Sequence, residues 1–142
     1  LYKMPRIDEL HPLLVHFPIA LFAAAFFCDS LGLILQKKSL TSAGCWNLLL
    51  ALIASIFTII SGYISDSLVG HMEEPFPIFS THGSLQILSV LWLLSIAVFR
   101  WKMFERISRE NRLKWIYVIM FGVGVMFLFY GSHLGAKLAN RF

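Results

Sequence analysis

The chain has 142 residues, of which 58% are hydrophobic and 14% are charged, and its formal net charge is +4. A chain of this length forms a single domain, and its charged fraction lies well below the roughly one quarter of a soluble protein. The basic residues lie between apolar runs, so the positive charge does not indicate nucleic-acid binding, and the composition is that of a membrane protein.

Four apolar runs hold almost every apolar residue of the chain. Each run has about 20 residues, enough to cross the roughly 30 Å hydrocarbon core of a bilayer as a helix. The predicted spans are about residues 12–35, 45–65, 80–99 and 115–136. The sequence therefore predicts an all-α fold: an integral membrane four-helix bundle that forms one domain over residues 1–142.

The first span opens on two histidines and two prolines. Pro12 suits the first turn of a helix, where its missing N–H costs nothing. Pro18 lies deeper and predicts a kink or a frayed first turn. His11 and His16 are five positions apart, so they point roughly 140° apart around a helix and do not share one centre.

Three further side chains in the first two spans have candidate roles. Asp29 is the one charge of the first span. We expect it to snorkel or to hydrogen-bond a local hydroxyl such as Ser30, with proton uptake as an alternative, and Asp29→Asn to leave folding and any cofactor intact. Cys28 and Cys45 are expected to be small apolar packing residues, since no Cys-x-x-Cys motif is present.

The polar segments between the spans predict the orientation. Segments 36–44 and 100–114 carry eight basic residues, against four near the two termini. Four spans place both termini on one side, and basic residues favour the cytoplasmic side. We therefore expect both termini on the outer side, facing the periplasm or exterior.

All five histidines fall on the outer side in this topology. His11 and His16 open the first span, His71 lies in the outer loop, His82 begins the third span, and His133 lies late in the fourth. His16, His82 and His133 each lie about one turn inside a different span. Three helices can thus aim an imidazole into the bundle at one depth, as helical bundles do when they bind haem or metals.

Haem b is the cofactor that best fits these positions. Neutral imidazoles from opposed helices are its usual axial ligands in membrane cytochromes. Gly83 lies beside His82, and Gly131 and Gly135 flank His133, so a flat macrocycle would have room there. The Gly131–Gly135 spacing is, however, more typical of close helix packing than of a cofactor slot.

The predicted iron ligands are His16 and His82. In an up-down-up-down bundle, helices one and three lie across a diagonal, and the second span offers no histidine for the other diagonal. His133 is the reserve ligand or a hydrogen-bond donor to a propionate. His11 is expected to cap the helix or to contact a propionate.

The opening segment from His11 to Leu21 reads His-Pro-x-x-Val-His-Phe-Pro-Ile-Ala-Leu. It resembles the signature of DUF2231, a bacterial four-span membrane family of unknown function. The family's histidine at the start of the third span is similar to His82. Its late Gly-His-x-Gly-Gly-like element is similar to Gly131–Gly135, with Ser132 and Ala136 as departures. The resemblance implies a redox setting in a bacterial inner membrane, because members are often fused or adjacent to cytochrome-type domains.

The function we expect is electron transfer by a b-type haem subunit, between an external cytochrome-type partner and the quinone pool, with quinone as a further ligand. An acidic loop with Asp66, Glu73 and Glu74 would dock a basic partner. One alternative is a membrane anchor or assembly subunit of a redox complex without its own cofactor. Another is a copper or zinc site held by the three inward histidines. The sequence offers no nucleophile–base pair, phosphate loop or carboxylate pair, so we do not expect hydrolytic chemistry.

Overall fold

The structure, a computed structural model, describes the backbone of residues 7–69 and 81–139 and the side chains of residues 14–64 and 81–137. Over these ranges the backbone forms four helices and no strand. They are α1 (Ile7–Ile34), α2 (Lys38–Val69), α3 (His82–Arg109) and α4 (Asn111–Ala139). Each helix is long and apolar enough to cross a membrane. The predicted all-α membrane bundle is therefore confirmed, while its orientation stays a prediction.

The helices extend well beyond the apolar runs. α2 begins at Lys38 and α3 continues to Arg109, so most of the predicted loops 36–44 and 100–114 is helical. Only residues 35–37 separate α1 from α2, and Glu110 alone separates α3 from α4. A polar segment outside the hydrocarbon has no physical reason to leave the helix, because its backbone hydrogen bonds form equally well there.

The helices associate as two antiparallel hairpins. α1 packs along most of α2, and α3 along α4, while the α1–α4 and α2–α3 contacts are fewer. The diagonal pairs, α1–α3 and α2–α4, hardly touch. Helices one and three therefore lie across a diagonal, as expected. We call one end of the bundle, where α3 begins and α4 ends, the histidine end. The opposite end is called the elbow end.

Pro18 lies inside α1 and does not form its first turn, because the helix begins at Ile7. Proline has no N–H, so the carbonyl of Leu14, four residues earlier, lacks its helical donor. The Thr58 hydroxyl of α2 lies 3.4 Å from that carbonyl and 3.0 Å from the carbonyl of Ala54. The threonine thus offers a donor to the carbonyl that the proline leaves unpaired.

The apolar core follows the bundle axis. Its fully buried side chains include Phe22, Leu93 and Phe121. The Phe26 ring of α1 meets the Phe121 ring of α4 edge-on, with the ring centroids 5.6 Å apart. The core therefore joins the two hairpins along the middle of the bundle.

Candidate functional site

His82 is the first residue of α3, and its imidazole lies against α4. Its Nδ1 atom is 2.7 Å from the carbonyl oxygen of Gly131. A carbonyl oxygen only accepts hydrogen bonds, so Nδ1 carries the proton and the lone pair of the neutral ring lies on Nε2. Metal-binding histidines are oriented in this way, with the second ring nitrogen held by a carbonyl or carboxylate.

Gly135 leaves the space that the His82 ring occupies. A Cβ atom at Gly135 would lie 2.6, 2.7 and 2.9 Å from the Cε1, Nδ1 and Nε2 atoms of that ring. The histidine itself therefore fills the gap that the sequence suggested for a macrocycle. A Cβ atom at Gly83, in contrast, would meet open space.

A second polar contact joins α3 to α4 one turn further along. The Gln86 Nε2 atom donates to the Ser132 hydroxyl at 2.9 Å, and that hydroxyl lies 2.8 Å from the carbonyl of Leu128. Ser132 is one of the two departures from the family pattern, and it acts here as a packing contact. His82 and Gln86 thus fasten the α3–α4 hairpin at the histidine end.

The other two candidate histidines differ from expectation. His16 and His133 are exposed, and His82 alone of the three is partly buried. On α4, His133 lies about 200° from Gly131, so it faces away from α3. The three helices therefore do not aim three imidazoles into the bundle.

Within the described ranges, no three side chains of the types His, Cys, Asp and Glu come together as metal ligands. The side chain of His11 and the whole of His71 lie outside the described residues, as do Glu73 and Glu74 of the predicted acidic loop. Asp66, which the sequence predicted in that loop, instead belongs to α2 (Lys38–Val69). Cys28 and Cys45 are free, half-buried thiols, in keeping with a packing role.

A buried ion pair, which we call the polar centre, lies toward the elbow end. The Asp29 side chain is fully buried, and Arg100 is 4% exposed. Arg100 donates from Nε to Oδ2 of Asp29 at 2.6 Å and from Nη2 to Oδ1 at 2.8 Å. The Tyr117 hydroxyl donates to Oδ2 at 2.5 Å. The carboxylate therefore accepts three hydrogen bonds from two other helices.

The polar centre connects all four helices. Arg100 Nη2 also donates to the carbonyl oxygen of Thr41 at 2.8 Å, which adds α2 to the network. The Phe104 ring lies against the same guanidinium, 4.6 Å from its carbon to the ring centroid. A Cβ atom at Gly44 would lie 2.8 Å from Asp29 Oδ1, so only glycine lets α2 approach the carboxylate this closely.

The prediction that Asp29 snorkels or bonds Ser30 is therefore wrong. Asp29 binds Arg100, which belongs to the segment predicted as a loop, and the buried Ser30 hydroxyl has no hydrogen-bond partner among the described residues. The bidentate arginine and the tyrosine together occupy both oxygens of the carboxylate, an arrangement that suits an ion pair joining the helices. The sequence signal for this ion pair was one acidic residue, Asp29, in the first span and one basic residue, Arg100, directly after the third.

Comparisons with known proteins place the chain in a family. No curated protein and no solved structure matches it. Residues 8–142 match the family described as predicted membrane protein (DUF2231), and this range covers nearly the whole chain, including α2, α3, α4 and all but the first residue of α1. The chain therefore belongs to the DUF2231 family of membrane proteins.

Proposed function

We propose that this chain is a b-type haem-binding membrane subunit that passes electrons between an external cytochrome-type partner and the quinone pool. One observation carries the proposal: the partly buried imidazole of His82, whose Nδ1 is fixed on the Gly131 carbonyl. In this tautomer Nε2 is the ring nitrogen that would bind the iron. A hydrogen bond of this kind fixes the orientation of a ligating imidazole.

The second ligand in this proposal is His16, on the diagonally opposite helix at the same end of the bundle; its side chain is exposed and would turn inward to bind the iron. His133 is the reserve ligand, and His11 belongs to the helix mouth. The open space at Gly83 adds to the room beside His82. Gly131 and Gly135 act indirectly: the Gly131 carbonyl accepts the His82 hydrogen bond, and Gly135 leaves room for the His82 ring. Haem would supply the one-electron chemistry, while these residues bind and orient it.

The same contacts favour one alternative, a membrane anchor or assembly subunit without a cofactor. In that function the His82–Gly131 and Gln86–Ser132 hydrogen bonds serve only to join α3 to α4. A copper or zinc site built from His16, His82 and His133 has less support, because the side chains that the structure describes contain no three-ligand group.

A visible absorption spectrum of the purified protein, oxidised and reduced, tests the proposal. We expect the spectrum of a low-spin bis-imidazole haem in the wild type, and its loss in His16→Ala and in His82→Ala. His71→Ala is the control and should leave the spectrum nearly unchanged. Oxidation of the reduced haem by a soluble quinone would then test the electron acceptor.

The outcomes separate the functions. A wild type without haem, after expression with ample haem supply, would favour the anchor. A haem that survives both His16→Ala and His82→Ala would overturn the ligand pair. Loss of the haem spectrum in His133→Ala alone would mean that α4 supplies the ligand.

A further inference from the structure

The connection between α3 and α4 carries a positively charged surface, which we call the basic elbow. It consists of five basic residues: Lys102, Arg106, Arg109, Arg112 and Lys114. The first four are exposed and the last is half-buried. Its two acidic residues, Glu105 and Glu110, are too few to neutralise it.

The basic elbow is built on two helix ends joined by a short turn. Lys102, Arg106 and Arg109 are spaced i, i+4 and i+7 on α3, which places them within about 60° of each other on one helix face. Glu110, the single residue between the helices, donates its backbone N–H to the carbonyl of Arg106 at 2.8 Å. The turn is one residue long, so Arg112 at the start of α4 follows Arg109 at the end of α3 by three positions.

Most of the positive charge of the basic elbow is uncompensated. Arg106 Nε lies 3.0 Å from Glu110 Oε1, and among the side chains that the structure describes this is the one ion pair of the elbow. Lys102, Arg109 and Arg112 therefore present their charges to the surroundings. Such a surface attracts anions at the depth where it lies.

Two tryptophans indicate that this depth is the headgroup region. Trp101 on α3 is 52% exposed and Trp115 on α4 is 49% exposed, and exposed tryptophans of spanning helices concentrate at the membrane–water interface. A surface groove of about 300 Å³ follows residues 101–106 at the same level.

A second, apolar groove adjoins the basic elbow on the membrane side. It has a volume of about 200 Å³ and lies between α3 and α4, lined by Ile96, Phe99, Ile116, Tyr117 and Met120. These residues occupy the turns that immediately precede Lys102 and follow Lys114. Positive charge at the interface suits an anionic headgroup, and an apolar groove on the membrane side suits an acyl chain. An acidic phospholipid has both.

We propose that the basic elbow and the apolar groove together bind one acidic phospholipid of the adjacent leaflet. The arginines and Lys102 would hold its anionic headgroup, and the groove would receive an acyl chain. Free phosphate would bind only to the basic elbow, and a zwitterionic lipid would bind mainly through the apolar groove. The proposal does not depend on haem binding or on which side of the membrane the elbow faces.

The test is lipid binding to the full chain in neutral detergent, measured with phosphatidylglycerol, with phosphatidylcholine of identical chains and with inorganic phosphate. Phosphatidylglycerol should bind at least about tenfold more tightly than phosphatidylcholine, since each interfacial basic residue adds to anionic-lipid affinity. Arg109→Gln/Arg112→Gln should remove this preference. Ile116→Trp should weaken both lipids by narrowing the groove.

The matched control is Lys37→Gln/Lys38→Gln, which removes the same charge from the α1–α2 connection at the same end. It should leave the preference intact. Equal losses in both double variants would mean diffuse electrostatic attraction and would overturn the site. Binding of phosphate as tight as that of phosphatidylglycerol, or no preference in the wild type, would overturn it as well. Circular dichroism confirms that each variant keeps its helix content.

Discussion

Replacing Asp29 by asparagine is the sharpest perturbation of this fold, because it changes a buried charge with almost no change in volume. Arg100 would keep its positive charge at 4% exposure and lose the carboxylate that compensates it. The asparagine amide offers one acceptor oxygen where Asp29 accepts three hydrogen bonds from Arg100 and Tyr117. Its NH₂ group would instead face one of the donors.

The loss of unfolding free energy follows from leaving the buried Arg100 charge without a partner. Removing one partner of a buried ion pair costs about 3–5 kcal/mol, most of it the energy of leaving the other charge unpaired. Tyr117→Phe removes only a hydrogen bond to a charged acceptor, so it should cost about 1.5–3 kcal/mol. Replacing both ions by apolar residues of similar size, as in Asp29→Leu/Arg100→Met, should be much less destabilising than Asp29→Asn.

The assay is unfolding of the protein in detergent, followed by circular dichroism with added denaturant. Arg106→Gln serves as the control, since its ion pair with Glu110 is exposed and should contribute at most about 1 kcal/mol. The order of stability should be control, double variant, Tyr117→Phe and then Asp29→Asn. Asp29→Asn as stable as the wild type would refute the reasoning and return Asp29 to a peripheral role.

Three further predictions concern packing and orientation. Gly135→Ala should lower the thermal midpoint and displace the His82 ring. Gly83→Ala, whose Cβ meets open space, should leave the midpoint unchanged or raised, and equal effects of the two variants would contradict the close contact between Gly135 and His82. Ser132→Ala should lower the unfolding free energy by about 1 kcal/mol through loss of the Gln86 contact, and an unchanged value would make that contact neutral. Export-dependent reporters fused after Ser39 and Ser108 should be inactive, because both sites lie among the basic residues; activity at either site would reverse the orientation.

The number and type of helices could be predicted because hydrophobicity over some 20 residues determines them directly. The helix ends could not, since polar residues such as Lys38 and Arg109 continue a helix as readily as they end it. The outward direction of His133 was available from the sequence, because Gly131 and Gly135 mark the packed face of α4 and His133 lies opposite. The partner of Asp29 was not available, because the rotation of each helix about its axis decides which side chains meet.

The polar centre has a consequence for how the protein is made. Asp29 precedes Arg100 by 71 residues, so the first hairpin leaves the ribosome with a carboxylate that has no cationic partner. An unpaired carboxylate is unfavourable in hydrocarbon, so the first hairpin enters the bilayer incomplete. Arrival of the third helix supplies the cation, and the fourth adds the Tyr117 hydroxyl. Each hairpin expressed as a separate polypeptide should therefore be degraded by membrane quality-control proteases. Co-expression of the two hairpins should protect both from degradation.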